Sequence, residues 1–167
     1  MYYIILILSI PLAIFAEDRL RLKRADVLEN VVIDGQAVQY LNGNVVFEKG
    51  SMIINCSKAI NIENTGQGSM IGNVKVVNDN QSITCDSLHY DSPNDVLHGF
   101  GNARAWDNDY DLLADTLVYY SNLDSGIARG NAELTQKNQI ITSHSIYYAK
   151  HTGEDAVSYT AEGNVLI

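Results

Sequence analysis

From Val27 onward, apolar and polar residues alternate with a period of two through most of this chain. That spacing turns one face of a β-strand inward and the other to water. The alternation comes in phased copies. Gly43-Asn44-Val45-Val46-Phe47 is followed by Gly72-Asn73-Val74-Lys75-Val76, Gly101-Asn102-Ala103-Arg104-Ala105, Gly130-Asn131-Ala132-Glu133-Leu134 and Gly163-Asn164-Val165-Leu166-Ile167. The first four glycines are spaced 29 residues apart and the fifth lies 33 further on. A fixed period in the range of roughly 20–50 residues marks repeat architecture. After each Gly-Asn the apolar parity reads Val45/Phe47, Val74/Val76, Ala103/Ala105, Ala132/Leu134 and Val165/Ile167, while the other parity holds Val46, Lys75, Arg104 and Glu133. One face is therefore buried and the other mostly wet.

A second block sits at a fixed offset in each repeat. Ile54-Asn55-Cys56-Ser57-Lys58-Ala59 aligns with Ile83-Thr84-Cys85-Asp86-Ser87-Leu88, Leu112-Leu113-Ala114-Asp115-Thr116-Leu117 and Ile141-Thr142-Ser143-His144-Ser145-Ile146, with Tyr90, Tyr119 and Tyr148 two places beyond the last three. Leu22 to Leu28 reads as a degenerate earlier copy. Within the block the apolar positions step by three, as from Cys85 to Leu88, and break period two at the same place each time. A bulge or corner there bends the strand, and the glycine of each Gly-Asn serves a bend in the other strand. Turn signals such as Asp34-Gly35, Asn78-Asp79-Asn80, Ser92-Pro93-Asn94-Asp95 and Asp107-Asn108-Asp109 cut the chain into segments of about ten residues, near the upper end of strand length. No long amphipathic helix follows residue 16. The extra length of the last repeat falls between His151 and Val157. The expectation is an all-β, antiparallel slab of stacked repeats, about 29 residues each with two strands per repeat, bent into two stacked sheets around an apolar interior. Val45, Phe47, Ile54, Val74, Val76, Ile83, Leu88, Leu112, Leu117, Leu134, Ile141 and Ile146 are the residues expected to point inward.

Composition sharpens this picture. With 167 residues the chain suits one domain, and 46% hydrophobic residues with only two prolines is enough for a core. A net charge of −9 argues against a nucleic-acid partner, which needs a basic face. Tyr2 to Ala16 is apolar apart from Ser9 and ends in a small residue before Glu17-Asp18. Residues 1–16 therefore read as a cleaved signal peptide, too short for a comfortable membrane span of about 20 residues. The segment has no Lys or Arg, and Arg19, Arg21, Lys23 and Arg24 follow it, both unfavourable for export, yet a cleaved signal fits better than a retained anchor. The mature domain then spans 17–167.

Candidate chemistry is sparse. His89, His98, His144 and His151 form no metal-spaced pair, so neither metal nor cofactor is expected. Asp107-Asn108-Asp109-Tyr110-Asp111 starts like a calcium loop, but it lacks the turn glycine and has Val118 where the closing Glu belongs, so a hairpin turn is the better reading. Asp86 and Asp115 invite an acid–base reading, but the repetition of the whole motif favours a structural role. The tyrosine column reads as a ladder at the edge of the core. Nothing here assembles an enzyme. Cys56 and Cys85 occupy one repeat column. Successive rungs of a parallel β-helix would place them about 4.8 Å apart, within reach of a disulfide. Two antiparallel strands per repeat would place them about 10 Å apart, as free buried thiols.

The phased pattern Gly-Asn-Val…Cys/Ala-Asp-x-Leu-x-Tyr…Gly-Asn-Val, with Ala25-Asp26, Asp34-Gly35-Gln36 and Leu41 to Phe47 as its opening, resembles the OstA-like repeat of the lipopolysaccharide transport proteins LptA, LptC and the N-terminal part of LptD. The resemblance covers Leu20 to Ile167, and Ser57 and His144 stand where that repeat usually has Asp. It implies a bent antiparallel β-jelly-roll in the periplasm whose groove, lined by the twelve inward residues, shields lipopolysaccharide acyl chains. It also implies partners: related jelly-roll proteins or further copies of the chain, joined strand to strand at open edges. The alternatives from other classes are a structural β-solenoid or adhesin without lipid transport, and a β-solenoid lyase acting on carbohydrate.

Overall fold

The structure is a computed structural model that describes residues 19–62, 65–150 and 157–167. The segment read as a signal and the longer turn at 151–155 lie outside the described residues. Among the described residues eleven strands follow one another: β1 Arg21–Arg24, β2 Val27–Ile33, β3 Gln36–Lys49, β4 Met52–Ile62, β5 Gln67–Asn78, β6 Gln81–Asp91, β7 Val96–Trp106, β8 Tyr110–Tyr120, β9 Ser125–Gln136, β10 Gln139–Lys150 and β11 Val157–Glu162. They form one sheet in the order β1-β3-β4-β5-β6-β7-β8-β9-β10-β11, with β2 also paired to β3. The pairings are antiparallel throughout. Stacked rungs of a β-solenoid would pair in parallel, so the meander excludes that alternative architecture.

The expected two sheets are one sheet folded over. The crease runs through every long strand at the place where the period-two pattern breaks. Between β3 and β4 the register passes from Asn42↔Lys58 to Val45↔Cys56, so Gly43 and Asn44 together face Ser57 alone. Gly72-Asn73 faces Asp86 and Gly101-Asn102 faces Asp115 in the same two-against-one manner. Both residues of each pair have positive φ, from 74° to 78° for the glycines and from 45° to 52° for the asparagines. That conformation suits glycine, and asparagine tolerates it better than most side chains. Two successive left-handed residues in mid-strand turn the chain, and the strands from β3 to β10 turn together.

The crease divides the sheet into two leaves. Leaf I holds β1 and the segments beyond the crease, 45–56, 74–85, 103–114 and 132–143. Leaf II holds β2, β11 and the segments on the other side, which include the pairing of Ile62 with Gln67 and end in the hairpins at 91–96 and 120–125. The core lies between the leaves, where Val45, Phe47, Ile54, Val74 and Leu134 of leaf I and Leu41, Met70, Leu88, Leu97 and Ile146 of leaf II are buried. At the N-terminal end β3 is flanked by β1 on leaf I and by β2 on leaf II, so each leaf has its own edge strand.

Candidate functional site

The crease, the interior and the mouth opposite the crease form one continuous arrangement. At the crease the Asn of each of the first four Gly-Asn pairs donates to a side chain on the preceding strand or its approach. Asn44 Nδ2 reaches Asp26 Oδ2 at 2.8 Å, Asn102 reaches Asp86 at 2.9 Å and Asn131 reaches Asp115 at 3.0 Å. Ser57 substitutes for the carboxylate in its repeat, accepting from Asn73 at 3.2 Å. The glycine beside each Asn lies against the same Asp or Ser. The recurring Asp is thus a brace for the bend, the structural role expected of it. Asp26 shows that the segment before β2 is the degenerate first copy.

Ten of the twelve residues expected to point inward are buried: Val45, Phe47, Ile54, Val74, Val76, Leu88, Leu112, Leu117, Leu134 and Ile146. Ile83 and Ile141 are partly buried and pack against that cluster. Among the described residues these side chains pack into one buried apolar cluster between the leaves. A cavity of about 40 Å³ remains near the mouth, lined by Ile83, Ala105, Leu112, Leu117 and three tyrosines. It has room for little more than water. Between the closed leaves these residues form an apolar seam.

Side chains from the tips of the two leaves hold the mouth shut. Lys49, at the end of β3 on leaf I, donates to Asp95 Oδ1 at 2.6 Å and to Tyr90 Oη at 3.0 Å on leaf II. Tyr90 itself donates to Asp95 Oδ1 at 2.9 Å. The Lys49 side chain is 13% exposed and that of Asp95 25%. Burial works against both charges, but the hydrogen bonds outweigh it: Lys49 is held above the ordinary lysine pKa and Asp95 below the ordinary carboxylate value. One repeat on, Tyr119 of leaf II reaches Gln81 of leaf I at 3.2 Å and Asp124 at 3.0 Å. Tyr148 also donates to Asp124, at 3.1 Å. At the far end Tyr110 of leaf I stacks with Tyr148 and Tyr159 of leaf II, with centroids 5.9 and 6.0 Å apart. Burial raises the pKa of all four phenols in these last two groups, that of Tyr159 to about 12, so they stay neutral donors.

A family model for OstA-like proteins matches this chain over residues 17–91 and again over 60–166. The chain belongs to the OstA-like family. Among solved structures its fold is similar to that of LptH, the LptA-homologous periplasmic component of the lipopolysaccharide transport device from Pseudomonas aeruginosa. The likeness has a TM-score of 0.55 at 14% sequence identity and covers 87% of this chain and 96% of that one. No curated protein matches the chain. At so low an identity the likeness establishes the fold, a bent antiparallel jelly-roll.

Two further expectations concern side chains of this OstA-like chain. Cys56 and Cys85 are free and buried, as the antiparallel reading requires. Burial pushes both thiols up to about 11. Asp107 caps a hairpin turn, its Oδ1 accepting the backbone N–H of Asp109 at 2.7 Å and of Tyr110 at 3.1 Å. The residues that sequence reasoning missed are Lys49, Gln81, Asp95 and Asp124. A signal for two of them existed: Tyr90/Asp95 and Tyr119/Asp124 share one spacing and lie 29 residues apart. The basic cluster at Arg19 to Arg24 is partly spent within the edge, Lys23 pairing with Glu48 at 3.3 Å.

Proposed function

We propose that this OstA-like protein carries lipopolysaccharide across the periplasm, holding its acyl chains between the two leaves and bridging inner- and outer-membrane export components. The observation that carries the reading is the interior itself: an apolar seam running the length of the sheet, closed on one side by a crease and on the other, among the described residues, by side-chain contacts. An acyl chain exposed to water loses about 0.8 kcal/mol for each CH₂ that could be buried. Between parted leaves, apolar side chains exchange contacts with one another for contacts with acyl chains. That exchange is nearly neutral in buried area, so the lipid can enter and leave without either partner facing water. The twelve inward residues, from Val45 to Ile146, are the proposed lining.

Assembly follows from the edges. β2 has its outer edge unpaired among the described residues, and Val27, Leu28, Val31, Val32 and Ile33 on it are exposed, Val32 by 73%. β11 has an unpaired outer edge among the described residues at the opposite end of the sheet. Such edges are templates for strand addition, by a related jelly-roll protein or by another copy of this chain, head to tail. A cleaved signal at 1–16 would deliver the domain to the compartment where this chain of contacts can form. The test is mass spectrometry of protein purified from the periplasm of a lipopolysaccharide-producing bacterium. Stoichiometric lipid A-bearing molecules are expected; protein free of lipid that also fails to take up added lipopolysaccharide overturns the reading.

A further inference from the structure

The three contacts across the mouth are not equivalent. The Gln81–Tyr119 contact is between neutral groups, and the Tyr110–Tyr148–Tyr159 contact is aromatic. Only Lys49 and Asp95, among the described residues, join opposite charges from the two leaves. Their contact is also the one nearest the β1–β2 end, the edge at which each leaf has its own separate strand. The backbone fixes Asp95 in place. It sits at φ 56° in the β6–β7 turn, and its carbonyl accepts the N–H of Ser121 at 3.0 Å and its Oγ–H at 3.3 Å. Tyr90, fully buried, completes the cluster by donating to the same carboxylate oxygen that Lys49 holds.

We infer that the Lys49–Tyr90–Asp95 cluster is a clasp that must open before acyl chains can pass between the leaves, and so sets the rate at which the protein takes up its lipid. The inference rests on the proposed lipid-carrying function and adds its point of control. Among the described residues, the cavity between the closed leaves beside Tyr110 and Tyr119, about 40 Å³, has no room for a chain. Parting them exchanges apolar contacts for apolar contacts everywhere except at the mouth. There a charge-assisted hydrogen bond between half-buried groups is broken, and nothing in an acyl chain replaces it. The anionic headgroup of lipopolysaccharide offers Lys49 a substitute partner as the clasp parts, which couples opening to a ligand that carries both phosphate and acyl chains.

The test uses the whole mature chain with Cys56→Ala and Cys85→Ala, since another repeat already carries Ala114 in that column. Lys49→Cys and Asp95→Cys are joined either by a short bis-thiol linker matching the present reach or by a long flexible one. The probe is lipopolysaccharide with an acyl-chain fluorophore that brightens in apolar surroundings. The short linker is expected to slow uptake at least about tenfold relative to the long linker on the same protein, and Asp95→Asn without linkers, which leaves Lys49 for the headgroup, to speed it by about ten- to a hundredfold, the range a charged hydrogen bond commands. Equal rates with both linkers, or no acceleration by Asp95→Asn, overturn the clasp while leaving lipid carriage intact. No uptake by the unmodified protein overturns the lipid-carrying function and the clasp with it.

Discussion

A glycine in mid-strand usually weakens a sheet, and here five of them, each followed by asparagine, make the crease. Gly130 shows why no other residue serves. Its φ is +75°, and an added Cβ would fall within 2.9 Å of the Cβ of Asp115 and closer still to Oδ2. Gly130→Ala is expected to cost roughly 1–3 kcal/mol of stability in urea unfolding; an unchanged midpoint would contradict the close packing. The fifth bulge lacks the brace, because His144 stands where Asp115 and Asp86 stand in the other repeats. His144→Asp should give Asn164 the acceptor that Asn131 already has and raise stability by about 1 kcal/mol. A lower midpoint would show that the brace depends on more than this pair. The glycines and the three-residue step were legible in the sequence as a bend, because a phase slip of one residue shows in the hydrophobic pattern. The Asp–Asn pairs were not, because each partner lies 16 or 18 residues away on a neighbouring strand whose register the bulge itself sets. The cysteines were decided by strand direction alone. Native protein at pH 8 should show almost no thiol reactivity with Cys56 and Cys85 pushed up to about 11, and unfolded, unreduced protein should show two free thiols.

At the scale of elements, the mouth contacts join residues 38 to 49 positions apart, which is neither one repeat nor two. Sheet twist carries the tip of one leaf diagonally past the other, so a leaf I residue meets the leaf II segment of a later repeat. That offset hid Lys49 and Asp95 from column-by-column reading, although the tyrosine they enclose was visible as a phased column. The clasp has a definite pH signature. Asp95 has its pKa lowered in the fold, so its contribution is present above the unfolded value of about 4 and is lost as pH falls through the folded value. Lys49 has its pKa raised, so its contribution is present below about 10.4 and is lost as pH rises through the folded value. Asp95→Asn should therefore be less stable than wild type by about 1–3 kcal/mol at neutral pH, and the gap should close in acid below pH about 4. A gap that persists unchanged at pH about 3 would place the stabilisation elsewhere than in the charge pair.

At the scale of the whole molecule, the repeat period, the antiparallel meander and the bent slab were all readable, because each repeat buries the same face against its neighbours. Closure was not readable. Inward parity says which side chains face the interior, and leaves open whether the leaves touch. In the structure they do, and the residues proposed to line a lipid passage are core residues of the closed form. The central claim is that these same residues meet acyl chains when lipopolysaccharide is aboard. Its most direct measurement is site-specific photo-crosslinking in cells that make lipopolysaccharide, with a photoreactive amino acid at Phe47, Val76 or Leu117 in the interior and at Lys75 or Arg104 on the outer face. Capture of lipopolysaccharide at the three interior positions and none at the two outer ones is the predicted result. Equal capture at both sets, or capture at the outer face alone, would contradict it.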